Sequence, residues 1–279
     1  MKVGYAILYE DGTLVISKNQ TILLKKIAIN YGKFEDTNVP WKDEYSQIKR
    51  VQILNQVKST CMRKWFECCI NLTKLINFKN LDVSDCKDFS CMFGYCKYLQ
   101  DLKELRNWNV SNGTNFSNMF AFCESLEDIN ALSNWNVYNG VNFSYMFSNC
   151  KSLQDLNGLS NWNVSNGVDF SSMFSNCESL QDLNRLSNWN VSNGTNFSYM
   201  FYYCQFLQNL NGLENWNISN GVNFSFMFEF CTLLKEIYLS NTLDILKKDI
   251  FYECNPKLKI HWKNHIYTYE DLLQYEEIY

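Results

Sequence analysis

The chain has 279 residues with 25 basic and 29 acidic side chains, and its formal net charge of −4 provides no basic field for a nucleic acid backbone. Hydrophobic residues make up 46% of the chain, enough for a continuous core, yet no stretch approaches the ~18 consecutive apolar residues of a membrane span. Only 2 prolines and 11 glycines are present, which argues against long linkers. We therefore expect a folded protein with neither a nucleic acid partner nor a membrane span.

Residues 1–60 are predicted to form an N-terminal cap that opens with a β-hairpin. Two apolar runs, 5–9 and 13–16, flank Glu10, Asp11 and Gly12, and Asp-Gly between such runs favours a tight turn. The apolar start ends at Glu10 and Asp11, without the small-residue cleavage site of a signal peptide. A cap is needed because the first unit of a repeat array would otherwise expose its core.

Residues 61–260 form an array of repeats. Seven cysteines mark a period of 27, as from 96 to 123: Cys69, Cys96, Cys123, Cys150, Cys177, Cys204 and Cys231. Five close copies read Leu-x-x-Leu/Ile-x-x-Leu-x-x-Trp-Asn-Val/Ile-x-Asn-Gly-x-Asn/Asp-Phe-Ser-x-Met-Phe-x-x-Cys, and a last coil of 23 residues ends at Cys254. Such a period predicts an α/β repeat solenoid of the leucine-rich type, with short parallel strands at Leu-x-x-Leu and irregular turns or short helices on the other face.

Residues 261–279 are predicted to close the far end as a helical cap. Thr268 precedes Asp271 by three residues, a spacing typical of a capped helix start. Leu272, Leu273 and Ile278 follow on one side of that helix.

Residue patterns that carry catalysis are missing from the sequence. His261 and His265 are the two histidines, and neither lies in a nucleophile motif. The cysteines lack the paired spacing of a structural zinc site, and a row of equivalent thiols is better explained as core. We expect a non-enzymatic protein without catalytic residues, metal or cofactor. An enzyme or metal-dependent protein built from polar residues of the caps is the weaker alternative.

Positions that vary inside the repeated text are the candidates for function. Aromatic residues accumulate near the Met-Phe pair in the later coils, and such residues are enriched at protein interfaces. The predicted partner-binding positions are Tyr145, Tyr199, Tyr202, Tyr203, Phe206, Phe226 and Phe230. The alternative is that these residues pack against the C-terminal cap, because single surface apolar residues need no functional explanation.

An acidic row is the second candidate surface. It consists of Asp101, Asp128, Asp155 and Asp182, which occupy one repeat position beside the second leucine. Stacked like charges repel, so a basic partner or a divalent cation held by oxygen ligands is one hypothesis. The alternative is a solvated face whose charges are screened by salt.

The repeated text resembles the BspA-type leucine-rich repeats of bacterial surface proteins. The resemblance rests on Phe-Ser-x-Met-Phe-x-x-Cys followed by Leu-x-x-Leu, on the block around Asn-Trp-Asn-Val-Ser-Asn, and on the opening residues 5–14. The unit at 250–254 is similar to the family's shorter repeat, and the resemblance covers roughly residues 1–260. It implies a right-handed leucine-rich solenoid that is displayed at a cell surface and adheres to host matrix or other cells.

The expected function is therefore binding of a macromolecule, most simply a protein of the host or of the source cell. Surface display or secretion follows from the resemblance, whereas the start of the chain keeps a cytoplasmic location open. In that case the chain is expected to act as an intracellular recognition or inhibitor module on a protein partner.

Overall fold

A computed structural model describes residues 2–20, 23–238, 248–262 and 265–271. The predicted N-terminal hairpin is confirmed, since β1 (Lys2–Tyr9) pairs antiparallel with β2 (Thr13–Ser17). At the turn, Gly12 adopts a φ of 79° and donates its N–H to the Tyr9 carbonyl at 2.9 Å. Glycine suits this position because it lacks the Cβ that disfavours positive φ.

The N-terminal sheet leads directly into the repeats. The next strands are β3 (Ile27–Glu35), β4 (Arg50–Ile53), β5 (Val57–Lys58), β6 (Lys74–Ile76) and β7 (Leu81–Asp82). One sheet has the order β3-β1-β2-β4-β6, and β5 pairs with β7 in a second. Val51 pairs in parallel with Leu75, and Val57 with Leu81, in each case 24 positions on. Because β2 also pairs in parallel with β4, parallel stacking begins at residue 13, inside the segment 1–60 predicted as a cap. The sequence does not reveal this pairing, since these strands lack the repeat motif.

The central coils are built from short 3₁₀ helices and single bridges. The 3₁₀ helices among the described residues are Lys42–Gln47, Phe78–Asn80, Lys103–Leu105, Asn130–Asn134, Asn157–Leu159, Asn184–Leu186 and Lys248–Phe251. Among the residues that the structure describes, strands occur at Leu-x-x-Leu only in β6 and in β8 (Glu236–Tyr238), with one bridge between Asp101 and Asp128. The prediction of a strand there in every coil is therefore wrong, because in four coils the chain turns into a 3₁₀ helix directly after the second leucine or isoleucine.

Successive coils are joined instead along the segment that contains Phe-Ser-x-Met-Phe. Parallel bridges link Asp88, Asn115, Asn142, Asp169, Asn196 and Asn223 in sequence. Alternate N–H groups of this segment donate to carbonyls 26 residues later, as from Phe116 to Asn142 at 2.8 Å and from Phe120 to Met146 at 2.9 Å. The interface between coils thus satisfies the backbone groups of this segment.

The interior consists of side chains stacked on their equivalents in the next coil. Trp135 and Trp162 have ring centroids 6.4 Å apart and an interplanar angle of 4°, and both are buried. The Trp162 Nε1–H donates to the Leu132 carbonyl at 2.9 Å, which satisfies the polar atom of the indole inside the core. Two phenylalanine rows stack in the same way, represented by Phe143 on Phe170 at 5.6 Å and Phe147 on Phe174 at 5.8 Å. One continuous core therefore runs through the array.

The described C-terminal residues form a three-stranded sheet. Strand β9 (Lys259–Trp262) pairs parallel with β8 and antiparallel with β10 (His265–Thr268). Residues 261–262 and 265–268 are thus strand, which corrects the helical cap predicted from residue 261 onward. The predicted capping contact is confirmed, because Asp271 Oδ2 accepts hydrogen bonds from Thr268 N and Oγ1 at 2.6 and 2.8 Å. Helix begins at residue 269, and Leu272, Leu273 and Ile278 lie outside the described residues.

Candidate functional site

Each full coil places two residues in the left-handed backbone region. One precedes the Met-Phe pair and the other lies four residues later, with φ between 54° and 64°. The first set is Lys64, Cys91, Asn118, Tyr145, Ser172, Tyr199 and Phe226, and the second is Cys68, Tyr95, Phe122, Asn149, Asn176, Tyr203 and Phe230. This conformation costs roughly 1–2 kcal/mol for an ordinary L-residue, and glycine or asparagine tolerates it best. None of these positions is a glycine, although glycine is the residue that a positive φ favours. Each coil therefore carries a side chain at two strained positions.

Five of the predicted aromatic residues come together in one cluster, which we call the aromatic cluster: Tyr199, Tyr202, Tyr203, Phe226 and Phe230. Tyr199 stacks on Phe226 with centroids 5.1 Å apart and meets the edge of Tyr202 at 5.6 Å. Tyr202 and Tyr203 lie 5.8 and 5.5 Å from Phe230. Tyr199 is exposed, and the other four side chains are half-buried. The cluster is thus a continuous aromatic surface across two adjacent coils that solvent reaches.

The structure separates the other two predicted aromatic residues from this cluster. Tyr145 is 44% exposed and Phe206 54% exposed, and neither has a ring contact among the described residues. Ring contacts of the cluster also do not extend to residues 248–262 or 265–271. The coil that carries Phe230 nevertheless borders the last coil, because Phe230 N donates to the Tyr252 carbonyl at 3.0 Å, and packing against the C-terminal residues stays an alternative prediction.

A second aromatic pair was missed in the sequence. Tyr95 and Phe122 stack with centroids 4.4 Å apart and an interplanar angle of 6°. Both occupy the second left-handed position of their coils. The signal that could have found them is the repeat register itself, since they stand 27 residues apart as aromatics at a variable position.

Carboxylates surround one edge of the aromatic cluster. Glu229 is only 9% exposed, and its backbone carbonyl accepts a hydrogen bond from Tyr203 N at 2.8 Å. Burial, followed by the carboxylates of Glu253 and Asp249, raises the pKa of Glu229 above its ordinary value. Burial and the charge on Glu229 in turn raise the pKa of Tyr202. The edge of the cluster therefore carries concentrated negative charge.

The acidic row has a structural use that its charge did not predict. Oδ1 of each aspartate accepts a hydrogen bond from the backbone N–H two residues later, at 3.1 Å for Asp101, 2.7 Å for Asp128, 2.9 Å for Asp155 and 3.0 Å for Asp182. Asn209 makes the same bond at 3.0 Å with no charge. Each side chain caps the turn that enters the next segment, as aspartate and asparagine commonly do. One carboxylate oxygen per residue is thus already used by the fold.

The described residues contain neither a cluster of metal-ligating side chains nor an activated thiol nucleophile. No group of three or more His, Cys, Asp or Glu side chains is placed there to hold a metal ion. All twelve cysteines are free, and the thiols of the interior row donate to carbonyls of the preceding coil, as from Cys150 Sγ to Phe120 O at 3.3 Å. Burial raises the pKa of Cys204 to about 12. These thiols stay protonated at neutral pH, and the thiol is a poor nucleophile.

The fold and this surface define a repeat protein whose coils share one interior and differ on the outside. The family model described as "Mycoplasma protein of unknown function, DUF285" matches residues 60–182 and 130–242, which together span most of the array. The chain belongs to this family. A helix long and apolar enough to cross a membrane does not occur in the described ranges.

Solved structures of low identity also align with the chain. A leucine-rich repeat protein from Eubacterium ventriosum is 12% identical, with 90% of this chain and 93% of that chain covered and a TM-score of 0.35. A leucine-rich cell surface protein from Faecalibacterium prausnitzii is 16% identical, with 94% of each chain covered and a TM-score of 0.26. A leucine-rich repeat protein from Bacteroides ovatus is 14% identical, with 94% and 89% covered and a TM-score of 0.26. No curated protein matches the chain.

Proposed function

We propose that the chain is a non-enzymatic, protein-binding repeat protein that presents the aromatic cluster to its partner. One observation carries this proposal: five aromatic side chains contact one another on two coils, where the coil before them carries Ser172, Ser175 and Asn176. Aromatic residues grouped in this way are typical of the residues that dominate binding energy at interfaces.

The backbone conformation at these positions supports a binding role for the aromatic rings. Tyr199, Tyr203, Phe226 and Phe230 all have positive φ, a conformation that a bulky residue rarely adopts. The left-handed conformation recurs in every full coil and so belongs to the fold, whereas a bulky ring at such a position adds strain of the kind that concentrates at functional sites. Asn149 and Asn176 have the same positive φ in other coils, and asparagine tolerates this conformation with less strain than an aromatic residue.

The finer form of the proposal is a right-handed leucine-rich solenoid of the BspA type that acts as an adhesin at a cell surface. It is supported by the repeated motif and by the continuous stack of coils. A recognition module acting on a protein inside the cell uses the same surface. Staining of intact source cells with an antibody against the chain distinguishes the two, because only a displayed protein is labelled.

The binding role is tested with a double variant that borrows residues from the preceding coil. Tyr202→Ser combined with Phe230→Asn copies Ser175 and Asn176, and Tyr145→Asn serves as a matched control outside the cluster. Immobilised protein is incubated with extracts of host and source cells, and bound proteins are identified by mass spectrometry. We expect a partner that wild type and Tyr145→Asn retain and that the double variant loses by at least about tenfold. Equal retention by all three proteins contradicts the proposal.

A further inference from the structure

The carboxylates beside the aromatic cluster indicate what chemistry its partner presents. Glu229 lies in the coil position that corresponds to Tyr202, and Tyr202 and Tyr203 approach it from the preceding coil. It is nine-tenths buried. Burying an unpaired carboxylate is unfavourable, so such a group normally has a cation or several hydrogen-bond donors nearby.

Glu229 has neither within the described residues. None of the ion pairs formed there includes Glu229, Asp249 or Glu253, and the Glu229 side chain accepts no hydrogen bond. The charges that act on it are the two further carboxylates, which repel it. Asp249 adds a second such group, because its Oδ1 is buried and has no hydrogen-bond partner among the described residues. A native structure rarely leaves such atoms unsatisfied, and a water molecule, an ion or a ligand normally completes them.

The aromatic rings and the carboxylates both favour a cationic ligand. The face of an aromatic ring attracts a cation, and the attraction is strengthened where the site is desolvated. A carboxylate beside the rings adds a charge-assisted hydrogen bond to the same cation. Arginine suits both groups best, because its planar guanidinium stacks on rings and offers several donors to carboxylates.

We propose that the aromatic cluster and Glu229 together bind an arginine side chain in an exposed segment of a partner protein. This inference rests on the proposed function and specifies the partner's chemistry at the same surface. The guanidinium lies against the rings of Tyr202 and Phe230 and donates to Glu229, while Asp249 and Glu253 supply further negative charge. The acidic surroundings disfavour an anionic partner such as a phospholipid surface.

The test uses a defined peptide and the full chain. Acetyl-Gly-Gly-Arg-Gly-Gly-amide is titrated into protein with isotopically labelled tyrosine rings, and its neutral citrulline analogue is the control ligand. Among the 17 tyrosines, Tyr→Phe variants assign the signals of Tyr199, Tyr202 and Tyr203. We expect saturable shifts of these three signals with the arginine peptide only. Glu229→Gln should weaken binding about tenfold, as expected for loss of a charge-assisted contact. Asp43→Asn, at an exposed carboxylate of the N-terminal segment, should leave it unchanged.

Two results overturn the inference: equal shifts with the citrulline peptide, or an arginine affinity that Glu229→Gln does not alter. Retention of tyrosine and tryptophan ring signals in each variant shows that the fold is intact. Failure here is distinguishable from failure of the binding role. If the peptide does not bind but Tyr202→Ser with Phe230→Asn still loses its protein partner, the surface is a binding site for other chemistry. If that variant also keeps its partner, both proposals fail.

Discussion

The interior of the array and its outer left-handed positions obey different rules. Inside, each coil repeats the same tryptophan, phenylalanine and cysteine, because every side chain stacks on its own copy in the neighbouring coil. Outside, one backbone conformation carries serine, asparagine, tyrosine or phenylalanine in different coils. The difference shows that the repeated residues build the scaffold. The residues that vary between coils at exposed positions determine which side chains the surface offers to a partner.

The largest effect is expected from breaking an interior row. Trp162→Ala removes a side chain that is 2% exposed and stacked between two other indoles. We expect a loss of about 3–5 kcal/mol in the free energy of unfolding, measured by chemical denaturation. Trp162→Phe is the informative control, since it fills much of the space but leaves the Leu132 carbonyl without its donor. A loss below about 1 kcal/mol for the alanine variant would contradict a stacked core.

A smaller effect is expected in the acidic row, where the structure predicts that shape matters more than charge. Asp155→Ala removes the hydrogen bond to Asn157 N and should cost about 0.5–2 kcal/mol, as for loss of a helix cap. Asp155→Asn should be close to neutral, because Asn209 makes the same bond in its own coil. Thermal unfolding of both variants measures the contrast. Equal destabilisation would show that the charge of Asp155, and not the shape of its side chain, stabilises the turn.

At the left-handed positions, tyrosine can be replaced by asparagine in one place and asparagine by tyrosine in another, and the two substitutions should have opposite effects on stability. Tyr145→Asn should stabilise the fold by up to about 1 kcal/mol, because asparagine tolerates positive φ and the Tyr145 ring contacts no other ring among the described residues. Asn149→Tyr, four residues later, should destabilise it by a similar amount. Chemical denaturation of the two single variants tests the sign. Stabilisation by tyrosine at 149 would mean that ring stacking outweighs backbone strain.

The smallest effect is expected from Glu229→Gln, and it depends on pH. The pKa of Glu229 is higher in the folded protein than the ordinary glutamate value, so folding favours the protonated carboxyl. The protonated form costs nothing below the ordinary pKa, and the penalty grows as the pH rises through the folded pKa. Glu229→Gln should therefore raise Tm modestly at pH 7 and not at pH 4. An equal rise at both pH values would show that the gain does not come from the charge.

Much of the fold could be predicted from the sequence because the repeat displays it directly. The period locates the coils, Asp-Gly locates the first hairpin, and Thr268 with Asp271 marks the start of a helix. The first coil, which pairs Val51 with Leu75, escaped because a single short copy without the motif creates no period.

The site could be predicted only in part, for physical reasons. Tyr199 and Phe226 were found because variation at a fixed position is visible, but their left-handed backbone is not, since neither is a glycine or an asparagine. The hydrogen bond that Asp155 accepts from Asn157 N could not be predicted, because the sequence shows the charge of the side chain and not the backbone N–H beside it. The contact of Tyr202 with Phe230 required knowledge of how two coils align.

The most direct test of the central claim replaces the whole aromatic cluster with residues of the preceding coil. The variant carries Tyr199→Ser, Tyr202→Ser, Tyr203→Asn, Phe226→Ser and Phe230→Asn, which copy Ser172, Ser175 and Asn176. Its Tm and its retention of the wild-type partner are measured side by side. If the cluster serves binding, the partner is lost while Tm stays within a few degrees of wild type, about the shift produced by 1 kcal/mol. Retention of the partner, or collapse of the fold, would show that these rings belong to the scaffold.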